Sequence, residues 1–153
     1  MLTPLALILH LIAINIWVGG TFFTVVILGR AIRTVEAAQR LLLWQLVLRR
    51  FFAWTWLAVL MLLCSGIWLV YSLYGGFAGI PAYIALMGLL ALLMVANFLF
   101  IFLVPYARLR HRTKSGDIDG SLRLLQIIRY LSIINITLGL SIVVIIGSGP
   151  HLF

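Results

Sequence analysis

Long apolar segments alternate with two short polar ones along this chain. Because a bilayer core of roughly 30 Å needs about 20 apolar residues per helix, the pattern gives four spans, at about 5–28, 51–74, 82–105 and 130–149. The middle apolar run is too long for one crossing, and its glycines and proline at 74–81 (YGGFAGIP) indicate a turn. No alternation typical of membrane strands persists. The sequence predicts an all-α, integral membrane four-helix bundle, with 1–153 as a single transmembrane domain.

Every charged side chain lies in one of two basic segments, 29–50 and 106–129, predicted as the loops on one side of the membrane. The positive-inside rule places both segments in the cytoplasm and both termini on the outer side. We therefore expect a multi-pass protein of the cell membrane, the inner membrane in a bacterium. We also expect the segment from Glu36 to Arg50 to extend the second helix along the interface, and Asp119 or Ser121 to cap an extension of the fourth.

The composition excludes a soluble domain, because 65% of the residues are hydrophobic and only 9% are charged. A net charge of +8 would suggest nucleic acid as a partner of a soluble protein. In this chain the basic residues flank apolar spans, so they indicate topology, with the lipid bilayer and not nucleic acid as the partner. The single cysteine, Cys64, excludes an intrachain disulfide.

His10 is the one ionisable residue inside a predicted span apart from tyrosines and Cys64, and such residues are functional candidates. On a helical wheel it shares a stripe with Trp17, Thr21 and Thr24, which should face the bundle interior. A neutral imidazole there could bind a metal or haem iron through one nitrogen while the other donates a hydrogen bond. The alternative is a structural histidine satisfied by Ser, Asn or a backbone carbonyl.

Two further residues are candidate ligands near the outer side. His151 follows Gly149 and Pro150, so it could fold back over the mouth of the bundle or stay solvated. Met87 lies on the third span at a depth close to that of His10; its thioether suits Cu(I) or haem iron, although methionine more often only fills space. The side chains expected to line this site are Trp17, Thr21, Tyr83 and Trp68.

The remaining polar and small residues in the spans indicate helix packing. Asn15 and Gly19 lie opposite the His10 stripe and predict a second contact face on the first helix, toward a neighbouring helix or a partner protomer. Asn97, Asn135 and Gly139 predict close contact between helices, since small residues let backbones approach and Asn gives modest interhelical hydrogen bonds. The spans hold no catalytic triad, carboxylate pair or phosphate loop, so we expect the protein not to be an enzyme.

The segment LHLIAINIWVGGTFFTVVIL, with His10 and Trp17-Val18-Gly19-Gly20, resembles the first helix of CopD-like (copper resistance D) membrane proteins. RRFFAWTWLAVLMLLCSGIWLV in the second span is similar too, as are Asn97 with Pro105 and the last span with Asn135 and Gly139. The resemblance implies a membrane protein that binds or passes copper. The related HemJ-type proteins, linked to haem, share the His-then-Trp-Gly helix. Members of both groups often carry a lysine in the third span after an aromatic residue; this chain has none after Tyr83, which argues against the HemJ-type activity.

Three functions therefore remain open from the sequence. The first is binding or passing of copper in the outer half of the bilayer around His10. The second is a b-type haem protein for electron transfer, with His10 as an axial ligand and His151 or Met87 as the other. The third is a cofactor-free accessory subunit of a larger membrane complex, or a homo-oligomer, in which these residues serve only packing.

Overall fold

The structure is a computed structural model that describes residues 2–152, with the side chains described up to Gly149. Four long helices make up the chain: α1 (Leu2–Thr34), α2 (Ala37–Tyr74), α3 (Ala82–Lys114) and α4 (Ile118–Leu152). The described residues contain no strand. Each helix is long and apolar enough to cross a membrane. The predicted all-α class and the four membrane helices are confirmed.

The helices are longer than the apolar spans, and they absorb most of the two basic segments. With a rise of about 1.5 Å per residue, α2 is roughly 57 Å long, almost twice the thickness of a bilayer core. The extensions predicted for the second and fourth helices are present, the first and third helices also continue into the segments expected as loops, and only 35–36 and 115–117 connect the helices there. Helix continues because its apolar side stays buried: Leu41, Leu48 and Leu109 are each at most 3% exposed. We call this the basic end of the bundle, and the opposite one the uncharged end.

The cap of α4 differs from the sequence prediction. The Asp117 carboxylate accepts a hydrogen bond from the Gly120 backbone N–H at 2.9 Å, so Asp117 caps the helix. Asp119 lies one residue inside the helix, and Ser121 is fully buried against the Thr113 hydroxyl at 3.3 Å. Asp117 also pairs with Arg112 at 3.0 Å, which ties the end of α3 to the start of α4.

The turn predicted between the second and third spans is confirmed at the uncharged end. Gly75 ends α2 with φ +70°, and Gly76 follows with φ +129°. Residues other than glycine rarely adopt these backbone conformations. A single 3-10 turn, Phe77–Gly79, leads to Pro81 and the start of α3.

Wide π-turns interrupt two of the helices. In α1 they span Asn15–Gly19 and Phe23–Leu28, and in α3 one spans Phe102–Tyr106. The turn in α3 contains Pro105, whose missing N–H removes one regular helical hydrogen bond. π-turns of this kind are frequent near functional sites.

The bundle consists of two helix pairs, α1 against α2 and α3 against α4, joined by an aromatic core. Trp17 of α1 meets Phe98 of α3 edge to face, with ring centroids 5.9 Å apart. From α2, Trp56 and Phe52 contact the same Phe98 ring at 5.2 and 5.9 Å. Phe52 also packs on Tyr106 at 4.5 Å, so the core extends to the basic end.

Small and polar residues bring α4 close to its neighbours. A Cβ built on Gly139 would lie 2.6 Å from Val18 Cγ2, so α1 and α4 touch at this point. The Asn97 amide donates to Asn135 Oδ1 and to the Leu131 carbonyl, both at 2.8 Å. Asn97, Asn135 and Gly139 thus all lie at contacts between helices.

The outer surface between the two ends is strongly apolar on every helix. Large side chains are more than half exposed there, among them Leu11, Leu60, Leu92 and Val144. A surface of this kind is stable only in contact with hydrocarbon, as expected for a membrane bundle.

Candidate functional site

His10 faces α2, where its imidazole meets a serine. The distance between His10 Nδ1 and Ser65 Oγ is 3.0 Å, a hydrogen bond between residues 55 positions apart in the chain. The ring also lies against Gly66: a Cβ built there would be 3.2 Å from His10 Cε1. A side chain at position 66 would therefore crowd the imidazole, and glycine leaves room for it.

The hydrogen bonds of Ser65 decide which nitrogen of His10 carries the proton. The Ser65 hydroxyl donates to the Met61 carbonyl at 2.5 Å, a bond within α2. A hydroxyl has one proton, so Ser65 Oγ accepts from His10 Nδ1–H. The neutral imidazole then keeps its lone pair on Nε2, which is the atom available to a metal ion or to another donor.

The sequence offered a Ser, Asn or carbonyl partner as the structural alternative to a ligand role for His10, and it did not single out Ser65. The contact with Ser65 fits that alternative as well as an oriented ligand. The available signal was depth: His10 and Ser65 both lie a little over two turns from the uncharged ends of their helices. What could not be read from sequence was the pairing of α1 with α2, which brings these two positions together.

The stripe predicted on α1 does face the interior. Trp17 is 1% exposed, and Thr21 and Thr24 are also buried, their hydroxyls donating to the Trp17 and Gly20 carbonyls at 2.6 and 2.7 Å. Trp17 packs against Phe98, about two turns from His10 along α1. Trp17 and Thr21 thus belong to the aromatic core below His10.

Trp68 lies beside this region, in a groove between α1 and α2. The groove has a volume of about 430 Å³ and is lined mainly by leucines, with Ser65, Cys64 and Trp68 from α2. Trp68 is 46% exposed and so faces the lipid side of the groove.

The other predicted site residues lie on the α3–α4 pair. Met87 is partly buried and packs against the core. Tyr83 touches α4 so closely that a Cβ on Gly149 would lie 2.6 Å from its ring. His151 follows two residues later, and its side chain lies outside the described residues.

At this site the described side chains supply the imidazole of His10 but not a complete metal shell. No group of three or more His, Cys, Asp or Glu residues that could hold a metal ion occurs among them. Among the described side chains near the uncharged end, the imidazole of His10 is the nitrogen group that could bind a metal ion.

The second face predicted on α1, formed by Asn15 and Gly19, is exposed in the described part of the structure. Asn15 is exposed, and its amide donates only to the Leu11 carbonyl of its own helix, at 2.8 Å. A Cβ on Gly19 would meet nothing within 4 Å. These two residues are therefore free to contact lipid or another protein.

Four apolar helices around an aromatic core, with one hydrogen-bonded histidine inside, define a multi-pass membrane protein. The model of the family Copper resistance protein D (CopD) matches residues 45–148, about two thirds of the chain, and the chain belongs to this family. The matched region contains most of α2, all of α3 and nearly all of α4. Helix α1 with His10 lies outside it. No curated protein and no solved structure is significantly similar to the chain.

Proposed function

We propose that this CopD-family protein binds or passes copper near the uncharged end of the bundle, with His10 as a ligand to Cu(I). The observation that carries the proposal is the 3.0 Å hydrogen bond between His10 Nδ1 and Ser65 Oγ. This bond fixes the ring and its tautomer and directs the lone pair to Nε2, which is the usual arrangement around a metal-binding histidine.

Copper would be the cargo of this protein rather than a resident cofactor. A single imidazole with soft thioether partners suits brief binding of Cu(I) better than permanent storage. Met87 and His151 are the proposed further ligands, because both belong to the uncharged half of the bundle. We further propose that this half faces the outside of a bacterial inner membrane, with the basic end in the cytoplasm.

No contact in the described part of the structure favours haem. His10 faces Ser65 on α2, and the bundle interior below it is filled by Trp17, Phe98 and Trp56. An accessory subunit without a cofactor remains the competing function, because it requires no ligand and would use the exposed Asn15 face.

The test is Cu(I) binding to the full-length protein in lipid nanodiscs, measured under anaerobic conditions by competition with a chromogenic Cu(I) chelator. We expect His10→Asn to lower the affinity at least about tenfold, because it removes the ligand. Ser65→Ala keeps the ligand but loses its orientation, and changes to a hydrogen-bond partner of this kind typically cost about 10–100-fold in metal affinity.

His111→Asn is the matched control, since His111 is an exposed histidine at the basic end. It should leave the affinity unchanged. If wild type, His10→Asn and His111→Asn bind copper equally, the copper site is not at His10. If the wild type binds no Cu(I) above the level of empty nanodiscs, the accessory-subunit function gains the support instead.

A further inference from the structure

A second cavity opens at the basic end, far from His10. It has a volume of about 490 Å³ and lies between α1, α2 and α4. Three arginines line it, one from the end of α1, one from the first turns of α2 and one from α4: Arg33, Arg40 and Arg129. The copper proposal uses none of these residues.

No acidic side chain lines the cavity beside these arginines. The chain has only three acids, Glu36, Asp117 and Asp119, and none of them lines the cavity. Within the described residues the ion pair present is the one between Arg112 and Asp117, outside this cavity. Arg40 donates to the Arg33 backbone carbonyl at 3.5 Å, which places its guanidinium group beside the end of α1. Glu36 lies between Arg33 and Arg40 in the chain, but within the described residues it forms no ion pair with any of the three arginines.

The rest of the lining is largely apolar and aromatic. Trp44, Leu48 and Phe51 of α2 and Leu125 of α4 form much of the wall, with Gln126 and Ser132 as uncharged polar groups. Trp44 also packs near Gly29 of α1, where a Cβ would lie 3.8 Å from its ring. The cavity therefore combines a cationic rim with an apolar interior, at a level where α1, α2 and α4 pass from apolar to basic sequence.

We propose that this cavity binds an anionic phospholipid, with its phosphate between the three arginines and part of an acyl chain along Trp44 and Leu125. Guanidinium groups bind phosphate oxygens through paired, charge-assisted hydrogen bonds. Basic pockets between membrane helices are known sites for anionic headgroups. Free phosphate would satisfy the arginines but leave the apolar wall without a partner, so the lipid is the better match.

The experiment is native mass spectrometry of the full-length protein, titrated in detergent with dioleoylphosphatidylglycerol or dioleoylphosphatidylcholine. We expect the wild type to bind its first phosphatidylglycerol at least about tenfold more tightly than phosphatidylcholine. The double variant Arg40→Gln/Arg129→Gln should lose most of that preference.

Arg49→Gln/Arg123→Gln is the matched control, because it removes two exposed arginines from the same two helices without touching the cavity. It should keep the preference. If both double variants lose the preference equally, the whole basic end attracts the lipid by charge alone and the proposal is wrong. An undiminished preference in Arg40→Gln/Arg129→Gln also overturns it.

A second variant tests the site without removing any arginine. Gln126→Glu places a carboxylate three residues before Arg129 on the same helix, where it can pair with that side chain and repel the phosphate. We expect it to weaken phosphatidylglycerol binding several-fold, whereas Gln39→Glu, exposed and outside the cavity, should not. Excess inorganic phosphate should displace little lipid; displacement as complete as that by phosphatidylglycerol would identify a free-anion site instead.

Discussion

The amide of Asn97 uses both of its hydrogens to hold α4. One is donated to Asn135 Oδ1 and the other to the Leu131 carbonyl, each at 2.8 Å. In hydrocarbon a lost hydrogen bond is not replaced by water, yet measured values are modest, because the separated helices find other partners. The pair therefore fixes the register of α3 against α4 more than it adds stability.

We expect Asn97→Leu to lower the free energy of unfolding by about 1 kcal/mol, in line with interhelical hydrogen bonds in membrane proteins. A double-mutant cycle with Asn135→Leu, measured by unfolding in mixed detergent and dodecyl sulfate micelles, should give a coupling energy of about 0.6 kcal/mol. Coupling near zero would show that the two amides act independently.

At this scale the sequence identified His10, Asn97, Asn135 and Gly139, because polar and small residues are conspicuous in apolar spans. It did not identify Ser65, since a lone serine bonded to its own helix is common and carries no signal of a distant partner. Such a residue becomes visible only when the helix pairing is known.

At the scale of the elements, the glycines of α4 have unequal roles. Gly139 sits where α1 crosses, and a Cβ there would lie 2.6 Å from Val18 Cγ2 and 3.3 Å from Cγ1. Gly147, two turns further along the same helix, would meet nothing within 4 Å. The first position needs glycine for packing, and the second does not.

Gly139→Ala should destabilise the bundle by about 1–3 kcal/mol, the range for overpacking a close contact. Gly147→Ala should be neutral or stabilising by up to about 1 kcal/mol, because alanine is the better helix former. Both are measured by the same micelle unfolding experiment. Equal effects of the two changes would contradict the close approach of α1 and α4.

The helices themselves were predictable, and their irregularities were not. Apolar length predicted the four spans, glycine and proline predicted the turn at 74–81, and the extensions of α2 and α4 into the basic segments were predicted too. The extension of α3 was not predicted, because it depends on the burial of Leu109 within a polar sequence. The π-turns in α1 contain no proline, so no residue in the sequence predicted them. Asp117 was missed as the cap because Asp117, Asp119 and Ser121 lie within five residues and are all of types that cap helices.

Across the bundle as a whole, every Asp, Glu, Lys and Arg side chain lies at the basic end. The eleven Lys and Arg side chains all belong to the basic end, and the opposite end carries no charged side chain. Chains with this asymmetry orient with the basic loops in the cytoplasm.

Cysteine labelling tests this orientation. In a Cys64→Ser background, Ala78→Cys reports on the uncharged end and Ser115→Cys on the basic end; both positions are exposed. In intact spheroplasts an impermeant maleimide should modify position 78 directly and position 115 only after the membrane is permeabilised. The reverse result would mean that the bundle is inverted and that His10 lies toward the cytoplasm.

The wide turn at Asn15–Gly19 makes the position of His10 sensitive to the deletion of a single residue from α1. Such a turn contains one residue more than a regular turn, so it marks a place where the helix has absorbed an extra residue without breaking. Deleting one residue there would restore the regular spiral but rotate everything before it by roughly 100°. The imidazole of His10 would swing away from α2, although every side chain that touches it remained. The extra residue in this turn therefore sets how the part of α1 before it is rotated relative to the part after it.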